Sequence, residues 1–173
     1  MTAVEIAQNG KYSIMPNGDL SVEGGAIIYK NFKGEPTKFN PTGGKRTFTL
    51  VLPQHVAEEL VDSGWNVKHR PPREEGDDDL YFTDIVVNME SQFPPKIMLI
   101  TRYGEKENLT HLDSETVGLL DSSILVDIDM IIHPYIHGRA NAAGATVKGY
   151  LKTMYATAQP SMDFGGKYSR FME

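Results

Sequence analysis

The segment Ile124–His133 constrains the fold more than any other stretch of this sequence. Ile124, Val126, Ile128, Met130 and Ile132 share one face, and Asp127, Asp129 and His133 share the other. A period of two belongs to a β-strand with one buried and one solvated face; a helix would bring apolar side chains back every three or four residues. Pro134 ends this strand or places it at an edge. Thr146–Ala156 reads the same way, with Val147, Leu151 and Tyr155 on the apolar side and Lys148, Tyr150 and Lys152 on the other. One-sided strands of this kind are the mark of antiparallel sheets.

The remaining segments agree with a mainly β chain. Ala26–Phe32, Arg46–Leu52, Trp65–Lys68, Leu80–Asn88 and Lys96–Arg102 read as extended, and Lys33–Gly44 between the first two is a basic loop with two prolines and three glycines. Two short helices are expected. Pro53–Gly64 has proline in its first turn, Val56 and Leu60 on one face, and glycine at its stop. Leu109–Leu120 has Asp113 as N-cap, with Leu112 and Val117 as an apolar staple. Helices separate the strands too seldom for a doubly wound parallel sheet. A helix before the penultimate strand of a small antiparallel barrel is the order of an OB-fold, although other small barrels and sandwiches share these elements. The expected fold is an OB-like antiparallel β-barrel with two short helices and long loops. Residues 1–25 form a turn-rich leader to it, 26–157 the domain proper, and 158–173 a C-terminal tail.

Charge is polarised along the 173 residues. The net charge is −6, yet residues 26–50 hold five basic side chains against Glu35, and 139–170 hold five against Asp163. The intervening 51–138 carries six basic and seventeen acidic groups. A basic face can therefore meet a polyanion, since charges beyond a Debye length of roughly 8 Å are screened. The absence of cysteine excludes disulfides, thiolate metal sites and cysteine nucleophiles. The first residues have neither a basic nor an apolar region of the secretory kind, and no apolar run approaches a membrane span.

Basic residues interleaved with aromatics are the most informative chemistry. Tyr29-Lys30-Asn31-Phe32-Lys33, Lys38-Phe39 and Lys45-Arg46-Thr47-Phe48 form one set, Lys148-x-Tyr150-x-Lys152 a second, and Lys167-Tyr168-Ser169-Arg170-Phe171 a third. Cations neutralise phosphates while exposed rings stack on unpaired bases. Phe48, in phase with Leu50 and Leu52, belongs to the core; Tyr150, with lysines at i±2, points out. His133 and His137 do not make a metal pair, because positions four apart on a strand lie about 13 Å apart. Asp127 and Asp129 fit a solvated strand face better than a two-carboxylate centre. The acid run Glu74–Asp79 reads as a solvated loop, or as an internal stand-in for a polyanion. There is no nucleophile elbow, phosphate loop or zinc-protease motif.

Ile27-Ile28-Tyr29-Lys30-Asn31-Phe32-x-Gly34, Phe39-Asn40-x-x-Gly43, Arg46-x-Phe48, Gly64-Trp65-Asn66-Val67-Lys68, Pro94-Pro95-Lys96-Ile97 and Gly149-Tyr150-Leu151-Lys152-Thr153-Met154-Tyr155 resemble, over about residues 26–168, a family of tailed-phage OB-fold proteins that bind single-stranded DNA. The resemblance implies sequence-tolerant ssDNA binding in phage replication and recombination, in the host cytoplasm, without cofactor, metal or catalysis. Many relatives finish with an acidic tail that recruits replication proteins; here Arg170-Phe171-Met172-Glu173 holds one acid. The expected groove residues are Lys30, Lys33, Lys38, Lys45, Arg46, Lys148 and Lys152, with Tyr29, Phe39 and Tyr150 stacking. The competing readings are a phage structural or assembly β-protein and a metal-dependent nuclease using Asp127 and Asp129.

Overall fold

A computed structural model describes residues 2–38, 41–72, 74–76, 79–137 and 146–159. Among these, ten strands and three helices run in the order α1 (Ala3–Asn9), β1 (Lys11–Ile14), β2 (Leu20–Glu23), β3 (Ala26–Asn31), β4 (Thr47–Leu52), α2 (Gln54–Asp62), β5 (Lys68–Arg70), β6 (Leu80–Val86), β7 (Lys96–Tyr103), β8 (Lys106–Leu112), α3 (Leu119–Ser122), β9 (Leu125–His137) and β10 (Thr146–Ala158). The fold is mainly β, as the alternation requires.

Hydrogen bonding orders the main path β1-β2-β9-β10-β6-β4-β3, with β5 beside β6 and the β7–β8 hairpin beside β10. β9 and β10 pair antiparallel from Thr146↔His137 to Ala158↔Leu125. β10 then runs parallel to β6 through its N-terminal half and parallel to β7 through its C-terminal half. The inner face buries Phe32, Phe48, Leu50, Ile85, Ile97, Ile132 and Met154, with the Phe32 and Phe48 rings stacked 5.3 Å apart. A smaller core of Ala7, Ala26, Val51 and Leu80 lies under α1, whose first turn is closed by reciprocal hydrogen bonds between Thr2 and Glu5. Residues 3–23, read from the sequence as a turn-rich leader, thus supply a helix and two strands of the same sheet.

The path is open rather than closed into a barrel: among the described residues no ladder joins β1 to β3. A side chain spans the gap. The Tyr12 hydroxyl on β1 donates to the Val51 carbonyl of β4 at 2.8 Å and accepts from the Ala26 amide of β3. Burial pushes this phenol up to about 12, against the opposing pull of the Ala26 hydrogen bond.

Four sequence expectations are corrected. Leu109–Leu120 is not a helix: its first residues extend β8, drawn into the sheet by Ile97↔Leu112 and Ile100↔Leu109 pairing with β7. Asp113 accepts from the Glu115 and Thr116 amides and so closes a turn, but it caps no helix: the helix that follows is only Leu119–Ser122, with Gly118 at its N-cap. β9 runs past its expected end at His133 to His137, and Pro134 takes the edge position that the sequence allowed: it lies past Leu20↔Ile132, the last pair with β2, where a missing N–H is tolerated. Finally, two β-bulges on the β9–β10 ladder change which side chains face inward. One between Leu151 and Thr153 leaves Lys152 unpaired, so Met154 and Ala156 are buried and Tyr155 turns to the other side. The other, at Thr157/Ala158, puts Leu125 against the core while Ile124 and Val126 stay exposed.

Candidate nucleic-acid interface

The ladders align one residue from each of five neighbouring strands: His133 of β9, Tyr150 of β10, Val86 of β6, Thr47 of β4 and Asn31 of β3. At about 4.8 Å between strands, the row spans roughly 19 Å across the outer face. Its position follows from period two: Gly149, Ile85 and Phe48, the sequence neighbours of three of its members, are buried on the inner face.

Tyr150 is half-buried, and its ring lies against Tyr135, centroids 5.3 Å apart and planes tilted by 48°. Lys148, opposite Tyr135 in the ladder, is exposed. Lys152, released from the ladder by the bulge, is exposed and reaches Asp19 at 3.4 Å. The spacing Lys148-x-Tyr150 therefore places both side chains outward, as expected. Tyr135 is not among the expected residues, because the strand read from the sequence stops at His133.

Asp19 precedes β2 and is 1% exposed. Its carboxylate accepts from His133 Nδ1 at 2.6 Å and Asn17 Nδ2 at 3.1 Å, besides the Lys152 ammonium. Burial alone would raise the carboxyl's pKa, but the hydrogen bonds from His133, Asn17 and Lys152 outweigh it and hold the group below the ordinary aspartate value. An ionised, buried acid thus tethers two side chains of the outer face.

The β3–β4 region divides the other expected residues. Tyr29 and Lys30 form a bulge between Ile28↔Thr49 and Asn31↔Thr47. Tyr29 sits at φ 51°, left-handed backbone that is uncommon for a bulky residue, and is 67% exposed. Lys30 turns the other way: its ammonium donates to the Leu120 and Ser123 carbonyls at 2.8 and 2.6 Å, at the C-terminal end of α3. Burial there lowers its pKa, and nearby Asp121 opposes the shift. Arg46 donates to the Phe32 carbonyl and pairs with Glu90, leaving 13% of its side chain exposed. Lys30 and Arg46 are thus committed to protein groups. Lys33, ion-paired with Glu35, and Lys38 and Lys45 are exposed around the loop. Phe39 lies outside the described residues, as do Lys167–Phe171.

A cleft of about 490 Å³ between Lys33 and Glu35 on one side and Glu115, Asp121 and Ser122 on the other is lined by more acids than bases. That lining repels phosphate. Asp129 accepts from the Gly24 amide at 2.9 Å, and the described residues contain no group of three or more histidines and acids placed to hold a metal. No described helix is long and apolar enough to cross a membrane.

An open, mainly β sheet whose outer face carries packed tyrosines among lysines is the architecture of proteins that hold an unpaired strand on a sheet surface. Residues 9–171 match the family described as "Putative phage ssDNA-binding domain", and the chain belongs to that family. No curated protein matches the sequence. Among solved structures, the single-stranded DNA-binding protein from bacteriophage Enc34 in complex with ssDNA is similar at TM-score 0.50 and 12% identity, over 87% of this chain and 92% of that one. Another structure of the Enc34 protein aligns at TM-score 0.49 and 10% identity, over 94% of each chain.

Proposed function

We propose that this chain binds single-stranded DNA without regard to base sequence, on the outer face of β9 and β10, and serves phage DNA replication or recombination in the host cytoplasm. The observation that carries the reading is the Tyr135–Tyr150 pair set between Lys148 and Lys152 on one sheet face. The rings offer π-faces to successive bases, at about 1–3 kcal/mol per stacked base. Lys148 neutralises a flanking phosphate, and Lys152, held by Asp19, stands at the other flank. Tyr29, Lys33, Lys38 and Lys45 extend the path past Asn31, at the far end of the row, with Phe39 as a further stacking residue by its sequence position next to Lys38; Lys30 and Arg46 brace the surrounding chain through the Leu120, Ser123 and Phe32 carbonyls. In this reading the protein acts by binding and performs no chemistry on the strand; one oxygen of Asp129 accepts from the Gly24 amide, which supports a structural part for that carboxylate.

The test is a titration with labelled dT oligomers and a matching duplex at several salt concentrations. The expected result is preference for the single strand, with log K falling against log salt by about 0.7 per phosphate neutralised. Equal affinity for duplex, or none for either, would favour the assembly-protein alternative. Cleavage of any substrate in Mg²⁺ or Mn²⁺, abolished by Asp127→Ala, would favour the nuclease.

A further inference from the structure

His133 lies in the same ladder pair as Tyr150, so its imidazole stands on the outer face next to that ring's strand position. It is more than half exposed, yet one nitrogen is fixed: Nδ1 is 2.6 Å from the Asp19 carboxylate, whose side chain is 2% exposed. An ionised carboxylate can only accept, so Nδ1 carries a proton and donates it. This sets the tautomer and leaves Nε2 as the atom that changes character. In the neutral ring Nε2 is an acceptor and repels a phosphate oxygen; in the cation it is a donor. The same carboxylate binds Lys152, so the three charges sum to zero with neutral histidine and to +1 with imidazolium.

We propose that His133 and Lys152, tethered by Asp19, form a phosphate subsite beside Tyr150 that engages the strand only when His133 is protonated, so that ssDNA binding tightens as pH falls through the histidine range. Asp19 is a positioning residue in this site: it touches no ligand, orients the ring and supports the imidazolium. The charged and titratable groups around the imidazole are Asp19 ahead of β2, Lys148, Tyr150 and Lys152 on β10, and Tyr135 and Asp129 on its own strand. Asp129 is occupied by the Gly24 amide, and Asp84, farther across on β6, by Lys68 and Thr49. Asp19 is therefore the acid that acts on the ring. The inference rests on the ssDNA reading above and deepens it.

The experiment measures dT-oligomer affinity at pH 8 and pH 6, at several salt concentrations, for the native chain, His133→Gln and His133→Lys. The native protein is expected to bind about tenfold more tightly at pH 6, the scale of one hydrogen bond to a charged group. Its salt slope should steepen by about 0.7, one further phosphate. His133→Gln should lose the pH dependence, and His133→Lys should bind with the steeper slope at both pH values. Asp19→Asn should reduce the pH dependence of dT affinity and of the salt slope, a change that a purely structural role would not produce. An unchanged pH response in His133→Gln overturns the subsite while leaving the ssDNA reading intact. An unchanged native salt slope between the two pH values does the same, and needs no variant. Absence of dT binding at both pH values overturns the ssDNA reading itself.

Discussion

Adjacent residues of β10 allow binding and stability to be separated. Tyr150 faces outward against Tyr135, whereas Leu151 is 5% exposed on the inner face opposite Ile132. Tyr150→Ala removes one stacking platform, about 1–3 kcal/mol of ssDNA affinity or roughly 5- to 150-fold. It also removes an aromatic pair worth about 0.5–1.5 kcal/mol. At about 2–4 °C per kcal/mol for a chain of this size, Tm should fall by no more than about 6 °C. Leu151→Ala instead leaves a cavity in the main core, costing about 2–5 kcal/mol, or roughly 4–20 °C. Its affinity for dT oligomers, measured well below its Tm, should stay within about twofold of the native value. Thermal melts and fluorescence anisotropy on the two variants give all four numbers. If Leu151→Ala weakened binding at a temperature where it is fully folded, or Tyr150→Ala melted as early as Leu151→Ala, the assignment of faces upstream of the Lys152 bulge would be refuted.

Three further outcomes follow from contacts described above. Tyr12→Phe should cost about 1–3 kcal/mol, since the Val51 carbonyl and Ala26 amide lose their shared partner. The folded phenol keeps its proton to about 12 while an unfolded tyrosine releases it near 10, so this stabilisation is complete below pH 10 and is lost as pH rises toward 12, by up to about 2.7 kcal/mol; urea midpoints from pH 9 to 11.5 should fall in the native chain and fall less in Tyr12→Phe. Gly149→Ala should destabilise by several kcal/mol in denaturant titrations, because a Cβ there would lie 2.6 Å from Ile132, 2.8 Å from Trp65 and 2.9 Å from Ile85 side-chain atoms in a core already packed. Lys30→Met should lower Tm by leaving two carbonyls at the end of α3 without their ammonium, with dT affinity nearly unchanged, whereas Lys148→Met should reduce the salt slope by about 0.7 and leave Tm unchanged.

Those contrasts also mark how far the residues alone could be read. The alternation in β9 and β10 is strong because both strands have one buried face, so the outward pair Lys148 and Tyr150 was legible from spacing. The bulges were not: one unpaired residue leaves no compositional trace, and beyond Lys152 it exchanges Tyr155 for Met154 as the core residue. Local signals misled where tertiary pairing overrode them, as when β7 drew Leu109–Leu112 into a strand and the cap signal at Asp113 closed only a turn. In the site, sequence shows a lysine but not what its ammonium touches, so Lys30, bound to α3, and Lys148, exposed on the outer face, looked alike. The Asp19–His133 contact joins residues 114 positions apart, a separation that no short motif spans.

The neighbours of β10 bear on the order in which the chain is made. Strands β3, β4 and β6 form a meander that pairs within itself, so it can assemble as soon as residue 86 leaves the ribosome. Its inner side chains, Phe48, Leu50 and Ile85, then have no strand β10 to pack beside. At translation speeds of about 5–20 residues per second, the 72 residues up to Ala158 take roughly 4–14 s. During that interval β7 has its hairpin partner β8 but not β10, and the β1–β2 hairpin waits until β9 is complete at His137. Folding of the nascent chain therefore ends in a late closure by the long-range ladders to β10, slow by contact order and dependent on a half-built core remaining soluble until then.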